Sequence, residues 1–325
     1  MLISICVATY KRPKRLRLLF EGLNKLTFER INCPKIEVIV VDNDTAGLAN
    51  QICAEIQPEF RWTIKTGVES QRGITYARNK SMSMVSVDAD FIAIVDDDEI
   101  PESTWLEELL LVQQEYDSDI VTGPVIPCFQ DYEVPHWIVK GKFFEQSRYQ
   151  TGEQRSVAFT NNVIVKAEIL RNLNPVFDNR FATSGGSDCC LFLNLNKAGY
   201  KITWADKAIV YDIILASRTN LKWILFRGYR EWSNHSFIEK ELDPSFSVQS
   251  VRILKGLGLI GIGLLRLIPS LLMGKAAFVT SLLYISRGMG TLGGLLEFFY
   301  EEYADNSEKD EKAQTFMRKG IYTKR

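Results

Sequence analysis

The chain has 325 residues, 46% hydrophobic and 24% charged, enough for one large globular domain and an appendage. A formal net charge of −1 argues against a broad nucleic-acid-binding surface. Two histidines, and six cysteines (Cys6, Cys33, Cys53, Cys128, Cys189, Cys190) without C-x-x-C spacing, argue against a zinc site and suit reduced thiols in a cytoplasmic protein.

The first segment, "MLISICVATYKRP", has no basic stretch before its apolar run and no small-residue cleavage site, so it reads as a strand over 2–9, not a signal peptide. "RLRLLFEGLNKL" sets Leu16, Leu19, Phe20 and Leu23 on one helical face. A second strand follows at 36–41, and Leu48, Ile52 and Ile56 mark a second helix. A third strand spans 60–66, a third helix 73–85 and a fourth strand 91–95. A helix then starts at about Pro101, since proline suits a first helical turn. Strands alternating with helices predict an α/β fold with a mainly parallel sheet and helices on both faces. The unbroken apolar strands agree, because parallel strands are buried on both sides. "DIVTGPVIP", "VAFTNNVIVKAEIL" and "YKITWADKAIVYD" read as further strands, with helices near 188–198 and over 217–242. Residues 253–300 are mostly apolar and glycine-rich, and 301–325 are a charged tail.

In open α/β sheets, ligands bind beyond the carboxyl ends of the strands. Those ends carry Thr9-Tyr10-Lys11-Arg12, Asp42-Asn43-Asp44, Gly67 to Arg72, and Asp96-Asp97-Asp98. There is no P-loop, and the two G-x-G-x-x-G runs (from Gly256 and from Gly288) lie in the apolar C-terminal region, outside any βαβ unit. The three aspartates pose a question, because like charges about 4 Å apart repel by roughly 4 kcal/mol at an effective dielectric of 20. An extended chain past Val95 points Asp96 and Asp98 one way and Asp97 the other. Two carboxylates on one side suit a hard cation, Mg²⁺ or Mn²⁺, completed by phosphate oxygens and water. The other reading is a solvated turn whose acids favour the N-terminus of the next helix.

The segments "ISICVATYKRP", "EVIVVDND", "GITYARN", "IAIVDDDEIPESTWLE", "NNVIVKAEIL" and "FATSGGSDCCLFLNLNKAGYKITW", in that order over roughly residues 1–215, resemble the family 2 glycosyltransferases of GT-A fold. The resemblance implies an inverting enzyme that moves a sugar from a nucleotide donor, usually a UDP-sugar, to an acceptor hydroxyl. By position it implies that Thr9, Tyr10 and Arg12 line the nucleotide pocket and that Asp42 hydrogen-bonds the uracil. Arg78 approaches the donor, Asp96 and Asp97 sit near ribose and sugar, and Asp98 binds the metal. Asp188 is the implied general base. Ser187 stands where the family usually has glutamate. The alternative for Asp188 is a helix N-cap.

Processive members carry Q-x-x-R-W, where this chain has "RGYREW" (227–232), which argues for transfer of one sugar. Arg227 and Arg230 could grip a diphosphate or form a solvated face. His235 could complete a metal shell or be structural. Trp137, in "VPHWIVKGKFF", could stack on an acceptor sugar or belong to the core. The implied organisation is a catalytic domain over 1–245 (nucleotide-binding half 1–117, acceptor half 118–245), apolar membrane-associating helices over 246–303, and a tail over 304–325.

"GLGLIGIGLLRLIPSLLMG" (256–274) has Arg266 near its middle and Pro269 as an expected break, and "AAFVTSLLYIS" (276–286) is too short to span. Residues 251–300 carry five basic residues and one acid. Helices lying in the interface of an anionic membrane fit this pattern, as does packing on protein. A polyprenyl-diphosphate-linked or other glycan acceptor follows by analogy with surface-polysaccharide assembly, and with it a place on the cytoplasmic face of the cell membrane. A nucleotidyltransferase, or a non-catalytic sugar- or lipid-binding protein on a GT-A scaffold, are the alternatives.

Overall fold

The computed structural model of the chain describes residues 1–129 and 132–299. β1 (Leu2–Thr9) lies between β2 (Lys35–Asp42) and β4 (Phe91–Ile94), with β3 (Thr63–Val68) beyond β2, and all four strands are parallel. β1 and β2 are buried along nearly their whole length, as helices on both faces require. Those helices are α1 (Pro13–Asn24), α2 (Leu48–Ile56) and α3 (Ile74–Ser83). Pro13 opens α1, which buries Leu16, Leu19, Phe20 and Leu23.

β9 (Val163–Lys166) continues this sheet antiparallel to both β4 and β6 (Ile120–Thr122). β10 (Ile202–Trp204) then runs parallel to β6, and the short β8 (Gln154–Arg155) closes the edge. A second, three-stranded sheet places β11 (Val210–Ile214) between β5 (Glu99–Pro101) and β7 (Val125–Phe129). The remaining helices are α4 (Trp105–Tyr116), α5 (His136–Gly141), α6 (Ala167–Arg171), α7 (Ser187–Lys197), α8 (Leu221–Leu242), α9 (Phe246–Met273) and α10 (Lys275–Leu295).

Several boundaries differ from the sequence reading. Pro101 ends strand β5, opposite Val210 at a sheet edge where proline is tolerated, and α4 starts only at Trp105. "DIVTGPVIP" is two strands in two sheets. At the crossing, a Cβ on Gly123 would lie 2.4 Å from the Ala208 carbonyl oxygen, so only glycine fits. The third strand begins at Thr63 rather than residue 60. Phe60 and Trp62 turn into the core instead, and the Trp62 indole donates to the Leu23 carbonyl. The expected break at Pro269 is absent: α9 is one helix of 28 residues, and Pro269 lies exposed near its end, where it removes a single backbone bond. α10 likewise runs on past 286 to Leu295.

The reason is packing between small residues. α10 lies between α9 and α8, and its glycines let backbones touch. A Cβ on Gly288 would sit 2.6 Å from the Gly256 carbonyl oxygen, and one on Gly294 2.1 Å from that of Ser233. The charged segment 301–325 lies outside the described residues.

Asn162 joins the two sheets. It is fully buried; its Nδ2 donates to the carbonyls of Pro124 (3.0 Å) and Ala208 (2.7 Å), and its Oδ1 accepts from the Trp105 indole (2.8 Å). Asn162→Leu strands three buried partners, each costing about 1–3 kcal/mol. The urea midpoint is expected to fall by the equivalent of at least ~3 kcal/mol. A shift within error would show that Asn162 is dispensable to the join.

Candidate active site

The carboxyl ends of β1 and β4 meet at the acidic cluster. Asp97 accepts from the Thr9 hydroxyl (2.7 Å) and from Arg12 (2.8 Å). One oxygen of Asp98 receives three guanidiniums: Arg15 at 2.7 Å, Arg12 at 3.2 Å and Arg218 at 3.4 Å. Burial works against ionisation of Asp98, but Arg12, Arg218 and Arg15 hold its carboxyl below the ordinary value. Asp96 is more exposed and pairs with Arg78 at 3.1 Å. Arginines thus answer the repulsion among the three aspartates.

Two further acids complete the cluster. Glu99 follows in sequence, and β5 sets it opposite Asp212 of β11. Glu99 is buried and accepts from the Asp96 backbone N–H (3.1 Å). Burial, reinforced by Asp96, Asp212 and Asp98, pushes its carboxyl well above the ordinary value. Asp212 is raised to about 6 by burial and then by the charge of Asp98, against the pull of Arg218, Arg227 and Arg15. Its Oδ1 is buried with no hydrogen-bond partner.

Asp212, Arg15, Arg218 and Glu99 were not singled out in the sequence. Asp212 carried one signal, an acid inside the apolar run Val210 to Ile214. Arg15 sits on the flank of α1, and it also donates to the Ile213 carbonyl (3.0 Å), tying the first helix to the second sheet.

The other predicted residues have partners of their own. Tyr10 lies under Arg72, whose guanidinium is 3.3 Å from the ring centre. Both oxygens of Asp42 accept backbone N–H groups, from Asp44 (3.0 Å) and Ala49 (2.9 Å), so the carboxylate braces the start of α2. Next to it, Asn43 ties down the loop after β3, donating to the Glu69 and Gln71 carbonyls and accepting from Gly73 N–H. Gly73 packs on Ala182, and the Ile74 N–H donates to the Ala182 carbonyl, which carries the edge on to the loop before α7.

Asp188 stands in the first turn of α7 and accepts from the Cys189 N–H (2.8 Å). The N-cap is Gly186, not Asp188. Gly185 and Gly186 have φ of +75° and +92°, a conformation that side-chain-bearing residues rarely take. Asn234 of α8 donates to the carbonyls of Ser184 (3.2 Å) and Gly185 (2.8 Å), so a second element fixes the loop.

Arg227 bonds Glu231 (2.6 Å) and lies over Trp223, itself 5.8 Å from the Arg218 guanidinium. Arg230 lies one turn on in the same helix, beside Glu231. Trp137 packs on Phe143 and under the Lys275 ammonium (4.7 Å), beside the α9–α10 turn. His235 is part of a different group, with Cys189, Arg252 and Glu239 as neighbours. Burial and Arg252 lower its pKa to about 4.

Among the described residues no group of three or more His, Cys, Asp or Glu side chains could hold a divalent cation. Asp98 and the Oδ1 of Asp212, which has no hydrogen-bond partner among the described residues, nevertheless give two hard oxygen donors that feel each other's charge, which fits an ion held mostly by phosphate and water.

Comparison with known proteins bears on the family and the fold. The succinoglycan biosynthesis protein ExoM of Rhizobium meliloti is 28% identical over 236 residues, 72% of this chain and 74% of ExoM. The glycosyltransferase GlyG of Streptococcus pneumoniae is 30% identical over 122 residues, 38% of each chain. Among solved structures, the mannosyltransferase PcManGT of Pyrobaculum calidifontis, in complex with GDP-Man and Mn²⁺, superposes with a TM-score of 0.61 at 15% identity, covering 91% of this chain and 87% of that one. S. aureus TarS, in complex with UDP, superposes at 0.52 with 14% identity and 93% of both chains. The fold is therefore GT-A, its mainly parallel sheet carrying C-terminal apolar helices. The sequence profile "Glycosyl transferase family 2" matches residues 4–173, more than half of the chain, and the protein belongs to that family.

Proposed function

We propose that the protein transfers one sugar, with inversion, from a UDP-sugar to a hydroxyl of a lipid-linked glycan during surface-polysaccharide synthesis. The observation that carries this reading is the arginine-balanced acidic cluster at the strand ends, with Asp212 Oδ1 left unpartnered inside it. The role of ExoM in succinoglycan biosynthesis supports the pathway class. Family membership sets aside the nucleotidyltransferase alternative.

In this mechanism Thr9, Tyr10, Arg12 and Asp42 line the nucleotide pocket, and Asp96, Asp97 and Arg78 hold the donor's sugar end. Asp188 takes the proton from the acceptor hydroxyl as that oxygen attacks the anomeric carbon and the bond to the diphosphate breaks. Mg²⁺ or Mn²⁺ on Asp98 and Asp212 would offset the charge of the leaving diphosphate. Arg218 and Arg227 lie on the α8 side, where they can meet phosphate oxygens of donor or acceptor. The C-terminal helices dock the enzyme on the cytoplasmic face of the membrane.

The charges make a specific demand. The carboxylates of Asp96, Asp97 and Asp98 are already paired with Arg12, Arg15, Arg78 and Arg218. A lone divalent cation would upset that balance, whereas cation and diphosphate together preserve it. Calorimetric titration is expected to show weak Mn²⁺ binding without nucleotide, and UDP binding at least tenfold tighter with Mn²⁺ than with EDTA. No UDP binding in either condition would overturn the donor assignment.

A further inference from the structure

We infer that α9 lies in the plane of an anionic bilayer surface, half sunk among the acyl chains, and does not cross it. This extends the membrane-docked reading above and is independent of the donor assignment. By length and composition α9 could cross, since 28 residues rise about 42 Å. Its neighbours argue otherwise. One face of α9, with Arg252, Gly256, Gly263 and Ser270, is buried against the rest of the protein, Gly256 and Gly263 against α10. The far side of α10 is locked onto α8 through Gly290 on Tyr229 and Gly294 on Ser233. α8 carries Arg227, Arg230, Glu231 and Lys240. A crossing α9 would draw α10 and that charged helix into hydrocarbon, at about 2.5–3.5 kcal/mol per central charge.

The opposite face of α9 is uncovered and apolar. Leu254, Leu257, Leu265, Ile268 and Leu272 are all exposed, Leu265 by 80% and Leu272 by 94%. At 100° per residue, positions 254, 257, 265 and 272 fall on one stripe, about 27 Å long. The cations are drawn to the flanks of this stripe. Lys255 lies over Trp232 (5.1 Å), Arg266 over Tyr284 (5.5 Å) and Lys275 over Trp137 (4.7 Å). Apolar side chains below, with ammonium, guanidinium and indole groups at the edge, match the layering of a bilayer interface. Residues 246–295 hold five basic residues and no acid, which complements anionic head groups. A second copy of the same face would meet it with like charge.

The test uses the full chain without UDP. Flotation is expected to show binding to vesicles containing phosphatidylglycerol, tighter than to phosphatidylcholine alone. The double variant Leu265→Glu/Leu272→Glu should lose at least tenfold in vesicle binding with UDP calorimetry unchanged. Spin labels on Leu254→Cys, Leu257→Cys, Leu265→Cys and Leu272→Cys, each in a Cys33→Ser background, should report depths equal to within about 5 Å. A depth that changes steadily along the helix would overturn the inference in favour of a span. Failure to bind either vesicle, or a dimer that the double variant dissolves, would overturn it in favour of a protein partner. Loss of UDP binding in the unaltered chain would sink the donor reading and leave this one standing.

Discussion

Asp188→Asn is expected to lower kcat by about 10²–10⁴-fold, the usual range for removing a positioned general base. Affinity for UDP with Mn²⁺ should stay within about twofold, because Asp188 belongs to the α7 loop and not to the arginine-bound cluster. The change is nearly isosteric. Asparagine keeps an oxygen to accept the Cys189 N–H, so α7 should start where it does now. Single-turnover transfer to a glycan acceptor, followed beside calorimetry, separates the two effects. An Asp188→Asn enzyme with full kcat would remove Asp188 from the proton-accepting role. One with weakened UDP binding would move it to the donor site.

Asp98→Asn is expected to abolish the metal dependence of UDP binding, a loss of about tenfold or more in the Mn²⁺-assisted affinity. Asp98 is the shared counter-charge of Arg12, Arg15 and Arg218. Its neutralisation leaves one positive charge in surplus, with Arg12 still held by Asp97, so UDP binding in EDTA should hold steady or improve while the Mn²⁺ response disappears. Asp212→Asn replaces the second carboxylate by a neutral amide and leaves the contacts of Asp98 with Arg12, Arg15 and Arg218 in place. It should weaken the Mn²⁺ response while leaving UDP binding in EDTA unchanged. If Asp98→Asn still responds fully to Mn²⁺, the cation sits elsewhere.

The N-terminal half was legible because local signals decide it. Strands β1, β2 and β4 are continuous apolar runs, each helix between them has a clear apolar face, and the strand-end residues Thr9, Arg12, Asp97 and Asp98 do converge. The second half was less legible because distant contacts decide it. Asp212 reaches the cluster only because β11 pairs with β5, a register set by a strand-edge proline and a crossing at Gly123. Arg218 comes from the loop beyond that strand. Arg227 was visible as a candidate, but its local bond to Glu231 could not be told from the sequence. Pro269 misled because propensity is a local rule, whereas α9 is held along its length by close backbone contact with α10.

Asn234 hangs from α8, and it is the side chain that grips Ser184 and Gly185 ahead of Asp188. One residue earlier in the same helix, the backbone of Ser233 is wedged against Gly294 of α10, on whose other side α9 rests. Asp188 and the outer helix are therefore opposite ends of one packed linkage. If Asp188 takes the proton and α9 rests on a bilayer as proposed, a tilt of the outer end would be felt at the inner one, and contact with the support would shift where the acceptor hydroxyl comes to rest.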